Sequence, residues 1–317
     1  MMTPSEHPAP LTAAPAEKIR VAAVVGPTAS GKTALAIEIA RHFHGEIVSC
    51  DSMQIYRGMD IGTAKPSPEE LAAVPHHMID IADPDETRTL ADFVQEARQA
   101  IAGIAGRGCL PVLCGGTGLY ADSVLKGNVL GDAGESPALR ADLMRKSPGE
   151  LYDDLLRVDP EAAQATHKNN VKRVVRALEI YYATGVTKTE WDRRSRRESD
   201  YDAVILGLDC RDREILYRRI DARVDQMMAA GLMEEVRSLR GRLSATASQA
   251  IGYKEIFACL DGEITQAEAA DRIKLATRHY AKRQLTWFRR NPDIHWIYID
   301  EAETFKEIVN NAFSVLT

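Results

Sequence analysis

Eight residues near the start of the chain, Gly26-Pro27-Thr28-Ala29-Ser30-Gly31-Lys32-Thr33, match the phosphate-loop pattern G-x-x-x-x-G-K-[ST] without a mismatch. The glycines let successive backbone N–H groups turn inward around phosphate oxygens, and a following helix adds the positive end of its dipole. Lys32 supplies a point charge and Thr33 a hydroxyl for Mg²⁺. Such a loop reads phosphates and says little about what they are attached to. A nucleotide site usually adds an acid after a second apolar strand, and two acids qualify: Asp51 after Ile47-Val48-Ser49-Cys50, and Asp209 after Val204 to Leu208. Their position at strand ends leaves the role of either open. Asp51, ending the second strand, falls beside the loop at the carboxyl edge of the sheet and is aimed at the reaction. It would hold a metal or accept a proton from an attacking nucleophile; the plainer alternative is a turn cap for Ser52 to Tyr56.

These residues need a scaffold of strands and helices, and the sequence supplies one. Ile19 to Val25 is a short apolar run before the loop, and Lys32 to Phe43 is an amphipathic helix after it. Further strands are expected at Glu46 to Cys50, Met78 to Ile81, Pro111 to Cys114, Val204 to Leu208 and Ile294 to Ile299. Helices are expected over Thr89 to Ala105, Asp212 to Ala230, and from Gln266 to about Arg290 after a Thr265/Glu268 capping box. Alternation of this kind predicts an α/β fold with a largely parallel sheet. From about Lys126 the strand signals stop, while Ser147-Pro148-Gly149-Glu150 and Asp159-Pro160 start new helices. The expected organisation is a catalytic core of residues 19–125 and 201–317, an all-helical insertion of residues 126–200, and a disordered proline-bearing leader of residues 1–18.

With 317 residues, 45% of them hydrophobic and 27% charged, and a mean hydropathy of -0.26, the chain is an ordinary globular one with no apolar run long enough to span a membrane. Its five cysteines form no C-x-x-C pair, which argues against a disulfide framework or a zinc site and fits the cytoplasm. Adjacent His76 and His77 point in different directions and lack a third ligand at metal spacing. Cys50 reads as a small buried hydrophobe, and Tyr253, Trp287 and Phe288 as core aromatics. A net charge of -6 would argue against a nucleic-acid partner, but it hides segregation. His167 to Arg197 holds nine Lys or Arg against three acids, and Arg272 to Arg290 holds seven against none. Basic segments on an acidic chain suit a polyanion-binding surface; solvated helix faces are the bland alternative. No long heptad pattern appears, so a monomer is expected.

Around Asp51 the sequence reads Asp51-Ser52-Met53-Gln54-Ile55-Tyr56, then Gly58-Met59-Asp60-Ile61-Gly62-Thr63-Ala64-Lys65-Pro66. These segments resemble the tRNA dimethylallyltransferase (IPP transferase) family. The resemblance continues in order through His76 to Asp80, Gly115-Gly116-Thr117-Gly118-Leu119-Tyr120, Arg173 with Arg176-Ala177-Leu178-Glu179, Arg219 to Arg223, Ile251-Gly252-Tyr253-Lys254-Glu255 and Tyr280-Ala281-Lys282-Arg283-Gln284. It implies a phosphate-loop core and transfer of the dimethylallyl group from its diphosphate to N6 of the adenine 3′ of the anticodon, position 37 of certain tRNAs, without ATP hydrolysis. The loop would then grip a leaving diphosphate with Mg²⁺, and Asp51 would take the proton of the adenine amine. Arg223, with Arg219 beside it, would clamp the diphosphate, although Arg223 could equally be a surface charge near Asp221 or Asp225. The resemblance also implies tRNA contacts. Asp51, Ser52, Met53, Gln54 and Thr117 would line the channel that receives the flipped adenine, Arg140, Lys172, Arg173 and Arg176 would approach the anticodon stem-loop, and Lys282, Arg283 and Gln284 the channel mouth. A small-molecule phosphate-loop kinase and a free-adenylate prenyltransferase share the loop and Asp51, but neither needs the insertion and two basic segments. An RNA-binding protein with a vestigial loop would not need Lys32, Thr33 and Asp51 intact.

Overall fold

The computed structural model describes residues 18–126, 136–195 and 197–317; the expected leader, apart from Lys18, lies outside them. The first part of the chain runs β1 (Ile19–Val25), α1 (Lys32–His42), β2 (Gly45–Ser49), α2 (Pro68–Ala73), β3 (His76–His77), α3 (Leu90–Gly106), β4 (Leu110–Gly115) and α4 (Gly118–Leu125). Five helices follow: α5 (Pro137–Leu143), α6 (Pro148–Val158), α7 (Pro160–Gln164), α8 (Val171–Thr184) and α9 (Lys188–Ser195). The chain then returns through β5 (Tyr201–Asp209), α10 (Arg213–Ala229), α11 (Leu232–Ser238), α12 (Tyr253–Leu260), α13 (Gln266–Phe288), β6 (Ile294–Tyr298) and α14 (Phe305–Leu316).

All six strands pair in parallel in the order β3-β2-β4-β1-β5-β6. A parallel sheet is covered on both faces, so its central strands are largely apolar and alternate residues feed two cores. In β1, Val21, Ala23 and Val25 pack under α3, α4 and the α10–α13 helices, while Ala22 and Val24 pack against α1 and α14. The chain runs from central β1 to β2 and β3 on one side and reaches β5 and β6 on the other. Loops at the carboxyl ends of the central strands therefore open a crevice, the usual ligand position in such sheets. Gly26 follows β1, Asp51 follows β2, Gly116 follows β4 and Asp209 closes β5.

The third strand differs from expectation. The apolar run Met78 to Ile81 suggested a strand, but pairing with β2 is made by His76 and His77. Met78 and Asp80 have φ of 65° and 54°, a left-handed backbone incompatible with an extended ladder. Met78 is buried as part of a bend, and beyond it Ala82 makes an isolated parallel bridge to Tyr56 outside the six strands. His76 Nδ1 bonds the Val74 carbonyl at 2.9 Å and His77 Nε2 bonds Glu46 at 2.6 Å, so both imidazoles brace this edge.

Residues 136–195 contain helices alone and have their own core, in which Leu151 and Leu155 of α6 meet Val174, Val175 and Leu178 of α8. Ser147 and Glu150 form the expected capping box, with Pro148 at the first helical position. Buried Asp159 caps α7 and also accepts from the Thr189 N–H (2.9 Å) and hydroxyl (2.7 Å), tying α9 to α7. Among the described residues no helix is long and apolar enough to cross a membrane.

Candidate active site

The phosphate loop is held open by its neighbours. Gly26 has φ of 140°, and a Cβ there would lie 2.4 Å from the Leu208 carbonyl oxygen, so only glycine lets the loop leave β1 this close to β5. Side chains hold two of the loop's carbonyls. Lys32 Nζ and Ser30 Oγ donate to the Pro27 carbonyl at 2.6 and 2.9 Å, and Arg219 Nε donates to that of Ala29 at 2.8 Å. Ala29 itself is left-handed, with φ of 62°.

The two strand-end acids separate here. Asp209 is fully buried; its Oδ1 accepts from Arg213 at 2.9 Å and the Cys210 N–H at 2.8 Å, and its Oδ2 accepts from Arg289 at 2.7 Å. That carboxylate is saturated and structural. Asp51 lines a cavity of about 310 Å³ together with Lys32, Thr33 and Arg223, and its Oδ1 accepts from the Met53 N–H at 2.9 Å. Burial raises the Asp51 carboxyl above its ordinary value, opposed by the backbone N–H groups of Met53 and Gln54 and by Lys32 and Arg223. A raised pKa makes a carboxylate a better proton acceptor. Burial lowers Lys32 to about 8, with Arg223 adding to the fall and Asp51 opposing it. Desolvation likewise lowers Arg223.

Arg223 faces the cavity. Asp221 and Asp225, its alternative partners, are taken by Arg278 and Lys274 of α13. Arg219 stands behind the loop, holding the Ala29 carbonyl. The hydroxyl of Thr33 and the carboxylate of Asp51 line the same cavity, and such hard oxygen donors suit Mg²⁺.

Ser52, Met53 and Gln54, expected to line a channel, line this cavity, while Thr117 stands at the N-terminal end of α4, its hydroxyl 3.5 Å from that of Tyr280. Gln54 is also a brace: Nε2 donates to the Thr63 and Ala64 carbonyls at 3.3 and 3.1 Å, and Oε1 accepts from Ser49. Gln284 lies deeper than a surface contact. It is 5% exposed, accepting from the Thr28 N–H and donating to the Gly116 carbonyl, both at 2.9 Å, so it clips the phosphate loop to the end of β4. Its neighbours Lys282 and Arg283 are exposed, and Arg283 lies 5.6 Å from the Tyr280 ring centre. Lys172 and Arg173 are exposed and make no ion pair among the described residues. Arg140 and Arg176 are different: both donate to Oε2 of buried Glu179, at 3.0 and 2.9 Å.

Two groups escaped the sequence reading. One is an apolar wall of Ile220, Val224 and Met227 on α10, Leu232 on α11, Ile251 and Ile273. The i, i+4, i+7 spacing of its α10 members was visible, but it matches that of an ordinary core face. The other is Tyr280, which lines the cavity as a neutral phenol, pushed up to about 12 by burial and by the Asp51 charge. Cys50 is buried and its thiol is pushed upward by desolvation, as befits a small strand residue. Tyr253 and Phe288 are core, and Trp287 packs against it with its indole donating to Asp122 at 3.1 Å.

The geometry thus joins a phosphate cradle, a carboxylate with a raised pKa and an apolar wall in one cavity. The family model described as IPP transferase matches residues 54–291. The chain is 46% identical over 293 residues to the tRNA dimethylallyltransferase of Anoxybacillus flavithermus, covering 92% of this chain and 94% of that one. It is similar to the crystal structure of the full-length tRNA isopentenylpyrophosphate transferase of Bacillus halodurans, with a TM-score of 0.72, 44% identity and coverage of 94% and 96%. A eukaryotic dimethylallyltransferase captured acting on tRNA superposes with a TM-score of 0.78 at 28% identity, covering 93% of this chain and 79% of that one. Matched over most of its length by the family model and over nearly all of it by these relatives, the chain belongs to the IPP transferase family of tRNA-modifying prenyl transferases.

Proposed function

We propose that this chain transfers the dimethylallyl group from dimethylallyl diphosphate to N6 of the adenine immediately 3′ of the anticodon, position 37, in tRNA. The observation that carries this reading is the joining of unlike surfaces in one cavity: residues of the phosphate loop, the Asp51 carboxylate, and an apolar wall that suits a prenyl chain. In the reaction the bond between the allylic carbon and the diphosphate oxygen breaks, a bond from N6 to that carbon forms, and diphosphate leaves. The adenine amine is a weak nucleophile because its lone pair is delocalised, so Asp51 accepts the N6 proton as C–N bonding develops. Charge grows on the departing diphosphate, and the loop N–H groups, Lys32 and Arg223 are fixed to meet it. Thr33 would hold Mg²⁺, which when bound neutralises part of the same charge.

An adenine in an anticodon loop must leave its stack to reach Asp51. The exposed cations Lys172, Arg173, Lys282 and Arg283 lie on the segments that would grip the RNA while it does so. The test is acceptor identity. Purified protein with Mg²⁺ and dimethylallyl diphosphate labelled in the prenyl carbon is offered unmodified tRNA or AMP, with γ-labelled ATP in a separate reaction. Label should enter tRNA and vanish when the adenine beside the anticodon is replaced. Label in AMP alone, or ATP consumption without prenyl transfer, would overturn the proposal.

A further inference from the structure

Glu235 on α11 has both carboxylate oxygens filled by a single loop and one tyrosine. Its Oε2 accepts from the backbone N–H groups of Asp60 (2.8 Å) and Ile61 (2.6 Å), and its Oε1 accepts from the Gly62 N–H (2.9 Å) and the Tyr253 hydroxyl (2.6 Å). Three successive N–H groups converging on one anion form a nest, here filled by the protein's own carboxylate. Tyr253 is fully buried, so its hydroxyl needs this partner. The same loop is held further along by Gln54 at Thr63 and Ala64, and by Lys65, whose Nζ donates to the Tyr56 carbonyl at 2.7 Å.

The held loop is a wall of the active-site cavity. Gly62 and Leu232 both line it. A Cβ on Gly62 would lie 2.6 Å from the Tyr253 ring and 3.1 Å from Leu232 Cδ1, so the loop backbone rests directly on both side chains. The direction of the cavity can be read along α10. Arg219 touches the phosphate loop, Arg223 comes one turn later and Met227 one turn later again, about 6 Å beyond Arg223 at the helical rise per residue. Leu232 on α11 and Gly62 of the held loop continue the lining of the same cavity.

We propose that Glu235, with the Tyr253 hydroxyl, is a positioning residue that seats Gly62 against Leu232 and so fixes the depth of the prenyl pocket, restricting the donor to five carbons. This rests on the prenyl-transfer reading above. Loosening the latch deepens the pocket and favours longer allylic diphosphates.

The test compares the wild type with Glu235→Gln and Tyr253→Phe. Calorimetry measures binding of inorganic diphosphate, dimethylallyl diphosphate and geranyl diphosphate without tRNA, and steady-state assays give kcat and KM for both donors with tRNA. The latch predicts inorganic diphosphate and tRNA affinities within about twofold of wild type, and a geranyl-to-dimethylallyl kcat/KM ratio raised about tenfold, the scale of one hydrogen bond of orientation. Tyr253→Phe removes one bond and leaves the core filled, so it decides the matter if Glu235→Gln does not fold. An unchanged donor ratio, or equal weakening toward inorganic diphosphate, would overturn the latch. A wild-type protein that binds neither prenyl diphosphate would overturn the prenyl-transfer reading itself.

Discussion

The active-site cavity and the helical insertion both carry arginines and lysines, but they treat them in opposite ways. In the cavity, Lys32 and Arg223 are desolvated and have no ion-pair partner among the described residues, so their charge is available to a ligand. In the insertion much of the charge is already spent. Arg140 and Arg176 share Glu179, Arg193 and Arg194 share Glu190, and Lys188 pairs with Asp192, while Lys172 and Arg173 stay exposed and unpaired among the described residues. A count of basic residues therefore overstates the insertion's free charge and understates the cavity's. Location and pairing decide which cations can act on a ligand, and single substitutions can test that division.

The largest effect belongs to the cavity. Asp51→Asn should lower single-turnover prenyl transfer by about two to four orders of magnitude, the usual worth of a positioned base, while tRNA affinity in a filter-binding assay stays near wild type. Next, Arg223→Ala should cost roughly 100-fold in kcat/KM for dimethylallyl diphosphate, as expected of one fixed donor to a developing anion. A surface charge at that position would cost almost nothing. In the insertion the effect moves from rate to binding. Lys172→Ala with Arg173→Ala should weaken tRNA binding and lower the salt slope of log K by about 1 to 2, with the melting temperature unchanged.

Arg140→Ala with Arg176→Ala sharpens the contrast. Removing both strands the buried Glu179 carboxylate, so the protein should lose about 2 kcal/mol and roughly 4–8 °C in thermal melts, with a smaller fall in salt slope than for the exposed pair. An equal fall in slope without destabilisation would return these arginines to the tRNA surface. The smallest effect is on stability in the cavity. Because the folded pKa of Asp51 is raised, its favourable protonated state persists at low pH, and stability is lost as pH rises through that pKa. Asp51→Asn should therefore melt about 1–4 °C above wild type at pH 8, with the gap closing toward pH 4.

The sequence made the phosphate loop and most of the sheet legible because each is contiguous: a turn between a strand and a helix, or a run of apolar residues with a fixed period. Asp51 could be aimed at the reaction, but its separation from Asp209 required seeing Arg213, four residues on, and Arg289, eighty residues on, converge on the Asp209 carboxylate. The third strand was misplaced because left-handed turns at Met78 and Asp80 bury apolar side chains without extending the backbone. Gln284 read as a channel contact, yet only tertiary packing shows its amide spanning Thr28 and Gly116. The apolar wall stayed hidden because α10 contributes three residues at ordinary core spacing, and Leu232, Ile251 and Ile273 join them singly from distant parts of the sequence. Glu235 gave no signal, since the N–H groups that define its role lie more than a hundred and seventy residues away.

One desolvated cavity raises the Asp51 carboxyl above its ordinary value and lowers Lys32 to about 8. The pH profile of kcat/KM for dimethylallyl diphosphate tests it, measured for wild type beside Lys32→Arg, since the substrate's own ionisation is common to both. The rate should climb as Asp51 loses its proton above the ordinary aspartate range and fall above about pH 8 as Lys32 loses its charge. In Lys32→Arg, whose guanidinium stays protonated, the fall should disappear while the climb remains. A wild-type profile flat from pH 5 to 9.5, or a falling limb that persists unchanged in Lys32→Arg, would contradict it.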